Sequence, residues 1–193
     1  MLVAPRGAGK TTFCRALVEE ARAAGCEVAG LLSPALFEGG VKTGIMAQDL
    51  RSGEARVLAR AEGAVPLPPS FDLPLGGWFF DRAVLAWGDQ LLAGDLRCDL
   101  LVVDELGPLE LLHGTGWVNA LEALRRPGYR WAVAVVRPEL ADLARRTLAV
   151  AENIPFQPAE DATCQARAWW KAVAALGARG RSVAQRDPSL RSG

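Results

Sequence analysis

Short apolar runs alternate with segments of helical periodicity along most of this chain. Between Thr11 and Ala24, apolar residues recur at the spacing of one helix face, with charged residues on the other side. Similar helical patterns occupy residues 81–92, 116–126, 138–146 and 161–176. Apolar runs that predict strands lie at residues 27–33, 99–105, 131–136 and 147–150. This alternation predicts an α/β fold with a largely parallel sheet that helices cover on both faces.

One part of the chain departs from this alternation. Apolar runs at residues 44–50 and 55–59 flank the turn sequence Arg51-Ser52-Gly53-Glu54, which predicts a small antiparallel hairpin inserted in the parallel pattern. Residues 60–77 are rich in proline and glycine and predict a long loop, either a lid near a ligand or a passive connector. Asp81 follows this loop and is the candidate N-cap of the next helix.

Length, charge and cysteine spacing narrow the class of protein. We assign residues 1–178 to one domain and predict a disordered tail at 179–193, which is rich in Arg, Ser and Gly. The formal net charge of +0 predicts no general attraction to nucleic acid or to a membrane surface. We expect no signal peptide and no membrane-spanning segment. The four cysteines are far apart, which favours reduced thiols in a cytoplasmic protein over a zinc site.

The segment Ala4-Pro5-Arg6-Gly7-Ala8-Gly9-Lys10-Thr11-Thr12 is typical of a phosphate-binding loop (P-loop). It joins an apolar start to a predicted helix, and its two glycines allow a backbone curl with inward-pointing N–H groups. The helix that follows adds its free N-terminal N–H groups and the positive end of its dipole. Ala4 stands where the P-loop motif has its first glycine. The alternative is a glycine-rich turn before a surface helix, with Lys10 solvated.

The side chains of this loop predict how a nucleotide would bind. Lys10 supplies a point charge to the β- and γ-phosphates and is also a candidate catalytic residue, and Thr11 supplies a hydroxyl to Mg²⁺. Thr12 is expected to reach the α-phosphate. The predicted nucleotide-binding residues are therefore Pro5, Arg6, Gly7, Ala8, Gly9, Lys10, Thr11 and Thr12.

Two acids follow a buried strand in the second half of the chain. The apolar run Leu100 to Val103 leads directly into Asp104 and Glu105, which places both at the carboxyl edge of the sheet, where ligands bind in such folds. Asp104 is the predicted Mg²⁺ ligand, and Glu105 is the predicted base for an attacking water. The alternative is a solvated strand end without catalytic function.

Arg137 follows the last apolar residue of the run at 131–136. If that strand lies between the loop strand and the acid strand, Arg137 is placed to stabilise negative charge on the γ-phosphate in the transition state. An ordinary surface arginine that caps or pairs nearby is the alternative.

These motifs together resemble the THEP-type (cancer-related) nucleoside-triphosphatases, a family of P-loop NTPases. The resemblance covers most of residues 1–150, and its most specific part is Asp104-Glu105-Leu106-Gly107-Pro108-Leu109-Glu110-Leu111. It implies a Mg²⁺-dependent enzyme that hydrolyses ATP, GTP and other nucleoside triphosphates to the diphosphate and phosphate. By position, it also implies that Glu110 pins the loop that follows the acids.

The sequence departs from the family pattern at several positions near the predicted site. They are Ala4 in the P-loop, Leu32-Ser33 after the second strand, Phe37 and Val41 around the Gly39-Gly40 turn, and Arg137-Pro138 after the strand predicted at residues 131–136. Base selection and turnover are the properties that these changes affect most.

Two other functions use the same loop. A nucleoside or nucleotide kinase would bind its acceptor under the loop at residues 60–77. A nucleotide-dependent switch without catalysis would use Trp78, Trp117, Trp169 and Trp170 as a contact surface for a protein partner, although burial in the core is the expectation for at least two of them. Nucleic acid is not an expected partner, because the four arginines between residues 179 and 191 are typical of a solvated tail.

Overall fold

The computed structural model describes residues 1–63, 67–94, 96–126, 128–148 and 152–184, with side chains described as far as residue 175. The strands of these ranges are β1 Leu2–Val3, β2 Val28–Leu32, β3 Ala35–Glu38, β4 Val41–Asp49, β5 Ala55–Ala61, β6 Leu73–Leu75, β7 Trp78–Phe80, β8 Cys98–Leu106 and β9 Tyr129–Val136. The α-helices are α1 Lys10–Ala23, α2 Arg82–Leu91, α3 Pro108–Leu111, α4 Val118–Arg125, α5 Ala141–Leu148 and α6 Ala162–Ala184.

The strands form one mixed sheet in the order β1-β9-β8-β2-β4-β5-β7-β6, with β3 paired to β4. Strands β1, β9, β8 and β2 are parallel, and the remaining pairs are antiparallel. The predicted α/β class and the hairpin around residues 51–54 are confirmed. The antiparallel part is larger than one hairpin, because β3 also pairs with β4, β6 forms within the stretch 60–77 predicted as a loop, and β7 follows directly after that stretch.

The parallel strands carry apolar side chains on both faces. On β8, Leu100 and Val102 belong to the apolar cluster that packs against α1 and α6, whereas Leu101 and Val103 belong to the cluster under α2, α4 and α5. Successive strand residues point to opposite faces, so one continuous apolar run supplies both layers. The acids that follow this run therefore lie at the edge of a sheet that is covered on both sides.

Strand β2 approaches β8 unusually closely at Gly30. The φ angle of Gly30 is 115°, and a Cβ at this position would lie 1.9 Å from the Val102 carbonyl oxygen. Only glycine fits here, because any side chain would collide with backbone that cannot move aside. This approach aligns β2 with β8 and brings Ser33, at the end of β2, beside Asp104.

Most helix predictions are confirmed, and the end of α5 differs. Asp81 caps α2 through its Oδ1 atom, which accepts hydrogen bonds from the N–H groups of Ala83 at 2.8 Å and Val84 at 3.2 Å. The predicted strand at residues 147–150 is wrong at its start, because α5 continues through Leu148; Val150 and its neighbour lie outside the described residues. Ala141, Ala144 and Leu148 share one buried face, so burial favours the helix there.

The predicted boundary between domain and tail stays a prediction. The backbone of α6 remains helical to Ala184, beyond the expected boundary at residue 178, and residues 185–193 lie outside the described part of the chain.

Two tryptophans considered as contact residues, Trp117 and Trp170, are 2% and 5% exposed and belong to the core. No helix in the described ranges has both the length and the apolar composition needed to cross a bilayer.

Candidate active site

The P-loop connects β1 to α1 as the sequence predicted. Gly7 and Gly9 have φ angles of 78° and 88°, and Gly9 immediately precedes the first residue of α1. Ala4 is buried, and its N–H donates to the Val136 carbonyl at 3.4 Å, so this position continues the β1–β9 pairing. The small side chain of Ala4 is therefore accommodated without loss of the loop.

Lys10 is folded back over this loop rather than extended into solvent. Its Nζ atom donates to the Pro5 carbonyl oxygen at 2.6 Å. Burial lowers the pKa of Lys10, and the nearby carboxylates of Glu105 and Asp104 oppose that shift. Lys10 thus lies between the loop backbone and the two acids. A triphosphate bound to the loop would contact the same lysine.

Asp104 is a buried carboxylate at the end of β8, with 1% of its surface exposed. The Ser33 N–H donates to its Oδ2 at 3.1 Å, and the Ser33 hydroxyl donates to its carbonyl oxygen at 2.7 Å. Burial raises the pKa of Asp104 to about 6, against the opposing effects of the Ser33 N–H and the Thr11 hydroxyl. A cation beside Asp104 would stabilise the ionised carboxylate and so oppose the effect of burial on its pKa.

The donor set at this point fits Mg²⁺. Asp104 and Thr11 bring a carboxylate and a hydroxyl together, and Mg²⁺ prefers oxygen ligands, taking one or two from protein and the rest from phosphates and water. The described residues contain no cluster of three or more His, Cys, Asp or Glu side chains that could hold a metal by itself. A Mg²⁺ ion here would therefore depend on the nucleotide for part of its coordination.

Glu105 occupies a strained position next to Asp104. Its φ angle is 96°, and it is the one non-glycine residue with positive φ in the described part of the chain. Between the pairs Val103–Ala134 and Leu106–Val136, two residues of β8 face one residue of β9, which is a β-bulge. Such bulges re-aim side chains at functional sites, at a cost of about 1–3 kcal/mol for the unfavourable φ.

Arg137 pairs directly with the Glu105 carboxylate. Strand β9 lies between β1 and β8, as the sequence analysis required, so the residue after β9 emerges between the P-loop and the acids. The Arg137 guanidinium donates through Nη2 to Glu105 Oε1, and both side chains are partly buried. The predicted position of Arg137 is confirmed, and its catalytic role stays a prediction.

All the predicted site residues except Pro5 line one cleft of about 500 Å³. It contains the P-loop from Arg6 to Thr12, together with Asp104, Glu105 and Arg137. Two sequence motifs that lie about a hundred residues apart therefore share a single cavity, on the same side of the sheet.

The antiparallel strands add cleft residues that the sequence did not assign to the site, among them Phe37 and Lys42 from the β3–β4 hairpin and Trp78 from β7. The Lys42 ammonium lies 5.0 Å from the centre of the Trp78 ring, a cation–π contact. Burial lowers the pKa of Lys42, and the charge of Glu105 opposes that shift. The sequence shows that Lys42 lies close to the Gly39-Gly40 turn. It does not show whether the Lys42 side chain enters the cleft, because that depends on how the hairpin folds over the P-loop.

Glu110 holds the loop that follows the acids. Its Oε2 accepts from the Gly107 N–H and its Oε1 from the Trp117 N–H, both at 2.9 Å. The side chain is buried, and burial raises its pKa. Glu110 therefore ties both ends of residues 107–117 together, in agreement with the pinning role that the resemblance implied.

Comparison with known proteins gives a consistent result. A family model described as NTPase matches residues 1–143. The nucleoside-triphosphatase THEP1 of Ignicoccus hospitalis is 36% identical over 110 residues, which are 57% of this chain and 59% of that protein. The THEP1 of Methanopyrus kandleri is 32% identical over 105 residues, 54% of this chain and 55% of that protein. The matched stretch spans little more than half the length of these relatives.

Solved structures extend the likeness in fold. The solution structure of a human cancer-related nucleoside triphosphatase superposes with a TM-score of 0.66 at 21% identity, covering 89% of this chain and 95% of that one. The crystal structure of THEP1 from Aquifex aeolicus gives a TM-score of 0.51 at 16% identity, covering 81% of this chain and 88% of that one. At such identities the superpositions establish a common fold.

Proposed function

Since this chain belongs to the NTPase family, as its resemblance to THEP-type nucleoside-triphosphatases predicted, we propose that it hydrolyses nucleoside triphosphates to the diphosphate and phosphate with Mg²⁺. The substrates would include ATP, GTP and other nucleoside triphosphates. One observation carries the proposal: the P-loop lysine and the Asp104–Glu105 pair line the same cleft. A cytoplasmic location is part of the proposal and is supported by the cysteine spacing.

The P-loop would bind the phosphates and orient them. Its backbone N–H groups and the N-terminus of α1 face anionic oxygens, and Lys10 would exchange its contact with the Pro5 carbonyl for the β- and γ-phosphates. Thr11 and Asp104 would hold Mg²⁺, whose charge offsets the negative charge of the phosphates. These groups supply positioning and electrostatic stabilisation, the main components of phosphoryl-transfer catalysis.

Glu105 would act as the general base toward an attacking water. Its bulged backbone presents the carboxylate to the cleft, and its contact with Arg137 fixes the orientation of both side chains. Arg137 lines the same cleft and would contribute positive charge while the γ-phosphoryl group passes from the diphosphate to the water. In this mechanism the proton of the water moves to the Glu105 carboxylate, and the diphosphate departs with the bridging oxygen.

Phosphate release across ATP, GTP, CTP and UTP, with and without Mg²⁺, tests the proposal directly. We expect Mg²⁺-dependent release of phosphate and one equivalent of diphosphate from each. Nucleotide binding without any release would support the switch. Release only in the presence of a nucleoside, with a phosphorylated product, would support the nucleoside or nucleotide kinase.

Replacement of Lys10 by Ala is expected to weaken nucleoside-triphosphate binding by about 100-fold, because a charge-assisted contact to phosphate is lost. Equilibrium titration with a fluorescent nucleotide analogue measures the effect. Lys171→Ala provides a matched control, since Lys171 is exposed on α6, outside the cleft. Equal affinities for the Lys10 and Lys171 variants would contradict phosphate binding by this loop.

Replacement of Lys42 by Met is expected to lower kcat by about tenfold, less than the roughly 10²–10³ of a fully buried transition-state donor. The reason is that Lys42, although exposed, lines the cleft, where its charge would act on the γ-phosphate. Affinity for nucleoside diphosphate, which lacks that phosphate, should not change. A Lys171→Met variant controls for the loss of charge, and an unchanged kcat in Lys42→Met would rule out this contribution.

A further inference from the structure

A second cavity, of about 160 Å³, adjoins the nucleotide cleft. Its wall includes six apolar side chains: Ile45, Leu58, Leu75, Trp78, Phe80 and Leu85. They come from β4, β5, β6, β7 and α2, and the segment after β8 adds residues 107–110 and Trp117 to the wall. The parallel strands that carry the P-loop and the acids do not supply these side chains.

Glu105 and Arg137 line both the cavity and the cleft. The proposed base therefore borders an apolar space on one side and the phosphate-binding space on the other. An attacking water needs only about 30 Å³, and an apolar cavity of about 150 Å³ is known to stay dry and to take a benzene-sized molecule. This cavity is thus larger and less polar than hydrolysis by water requires.

The lining also limits the chemistry of an occupant. Four charged side chains line the cavity: Arg6, Glu105, Glu110 and Arg137. Glu105 and Arg137 are paired with each other, and both carboxylate oxygens of Glu110 accept backbone N–H groups, so these three offer a charged ligand no unbalanced partner. Arg6 is an exposed residue of the P-loop that also lines the phosphate cleft. Most of the uncharged lining residues offer apolar contact, with Ser33 near the acids. A neutral molecule with a hydrocarbon body and one hydroxyl group matches both ends.

We propose that this cavity binds the hydrocarbon body of a small neutral alcohol, whose hydroxyl lies at Glu105 and accepts the γ-phosphoryl group in place of water. The inference rests on the proposed nucleotide chemistry of the cleft. The cavity also lies where a kinase acceptor was expected, under the loop at residues 60–77, because Leu75 and Gly76 of that loop line it.

The step balances without any further reactant. The alcohol oxygen forms a bond to the γ-phosphorus, and the bond from that phosphorus to the bridging oxygen breaks, so its electron pair leaves with the nucleoside diphosphate. The Glu105 carboxylate takes the hydroxyl proton. The products are a phosphate monoester and the diphosphate, and hydrolysis is the same step with water as the acceptor.

The test uses benzyl alcohol, cyclohexanol and 1-hexanol as probes on the full chain with Mg²⁺ and GTP. Trp78 and Trp117 line the cavity, so intrinsic fluorescence reports binding, and phosphorus NMR identifies a phosphate monoester. We expect saturable quenching by at least one probe and formation of its phosphate ester at the expense of free phosphate.

Leu75→Trp fills the cavity from its rim, and Leu73→Trp is the matched control. Leu73 is on the same strand and, two residues away, on the same face, but it does not line the cavity. Leu75→Trp should abolish quenching and ester formation, whereas Leu73→Trp should retain both; thermal melting by circular dichroism verifies that each variant is folded.

Three results would overturn the inference: no saturable quenching by any probe, quenching that Leu75→Trp leaves unchanged, or binding without any ester. Normal phosphate release accompanied by one of these results would overturn the alcohol site alone. Absence of both phosphate release and ester formation would overturn the proposed function as well.

Discussion

Glu105→Gln is expected to release phosphate about 10²–10⁴ times more slowly than the wild-type chain, the range for loss of a general base. Nucleotide affinity should not change. Glutamine has the shape of glutamate and can still accept a hydrogen bond from Arg137, so the contact across the bulge is preserved. It cannot take a proton from water, and only the chemical step should therefore slow.

Single-turnover phosphate release and equilibrium nucleotide binding, measured on the same variant, separate these two effects. Glu122→Gln is the appropriate control, because Glu122 also pairs with an arginine, Arg125 at 2.9 Å, but on the exposed surface of α4. Wild-type phosphate release by Glu105→Gln would refute the general-base role and leave the strained φ of Glu105 without a catalytic explanation.

Asp104→Asn is expected to have opposite effects on stability and turnover. The pKa of Asp104 is raised from 3.8 to about 6 in the folded protein, so the folded state holds this proton more tightly than the unfolded state does. The stability of the metal-free wild-type chain should fall as pH rises from about 4 through 6, by at most about 3 kcal/mol. Asparagine removes that dependence and should raise the free energy of unfolding at pH 7 by a similar amount.

Turnover by the same variant should fall by at least about 10²-fold, because a neutral amide is a poor ligand for Mg²⁺. Urea denaturation at pH 5 and pH 7.5 with a chelator measures the stability effect, and phosphate release with Mg²⁺ measures the catalytic one. Asp142→Asn, at an exposed ion pair of α5, should change stability by less than about 0.5 kcal/mol. Destabilisation of Asp104→Asn at pH 7 would contradict the raised pKa of Asp104, and full turnover would contradict the metal-ligand assignment.

Local patterns were sufficient for the parts of the site that follow from strand ends. The P-loop is one continuous stretch whose glycines and lysine act through neighbouring backbone. Asp104, Glu105 and Arg137 each follow a buried apolar run, and the carboxyl ends of parallel strands meet at one edge. Their positions in one cleft could therefore be predicted without knowledge of any contact.

The contacts between distant segments were not predictable in this way. The ion pair of Glu105 with Arg137 requires a bulge on β8 and the exact neighbour relation of β8 and β9. The approach of Lys42 to Trp78 depends on how two antiparallel hairpins fold over the cleft. The prediction of a strand at residues 147–150 failed at Thr147 and Leu148 for a related reason, since burial against other elements selected the helix there.

The order of apolar runs and glycines by itself determined the α/β class, the P-loop and the acid pair, because each depends on backbone geometry within a few residues. Tertiary structure alone decided which antiparallel strands lie beside β2, and thereby the apolar cavity and Lys42 in the cleft. It also decided the bulge of β8 beside β9, and thereby the partner of Glu105. The physical reason is that strand pairing is set by packing between residues far apart in the chain, and hydrophobic patterning specifies that a face is buried but not what covers it.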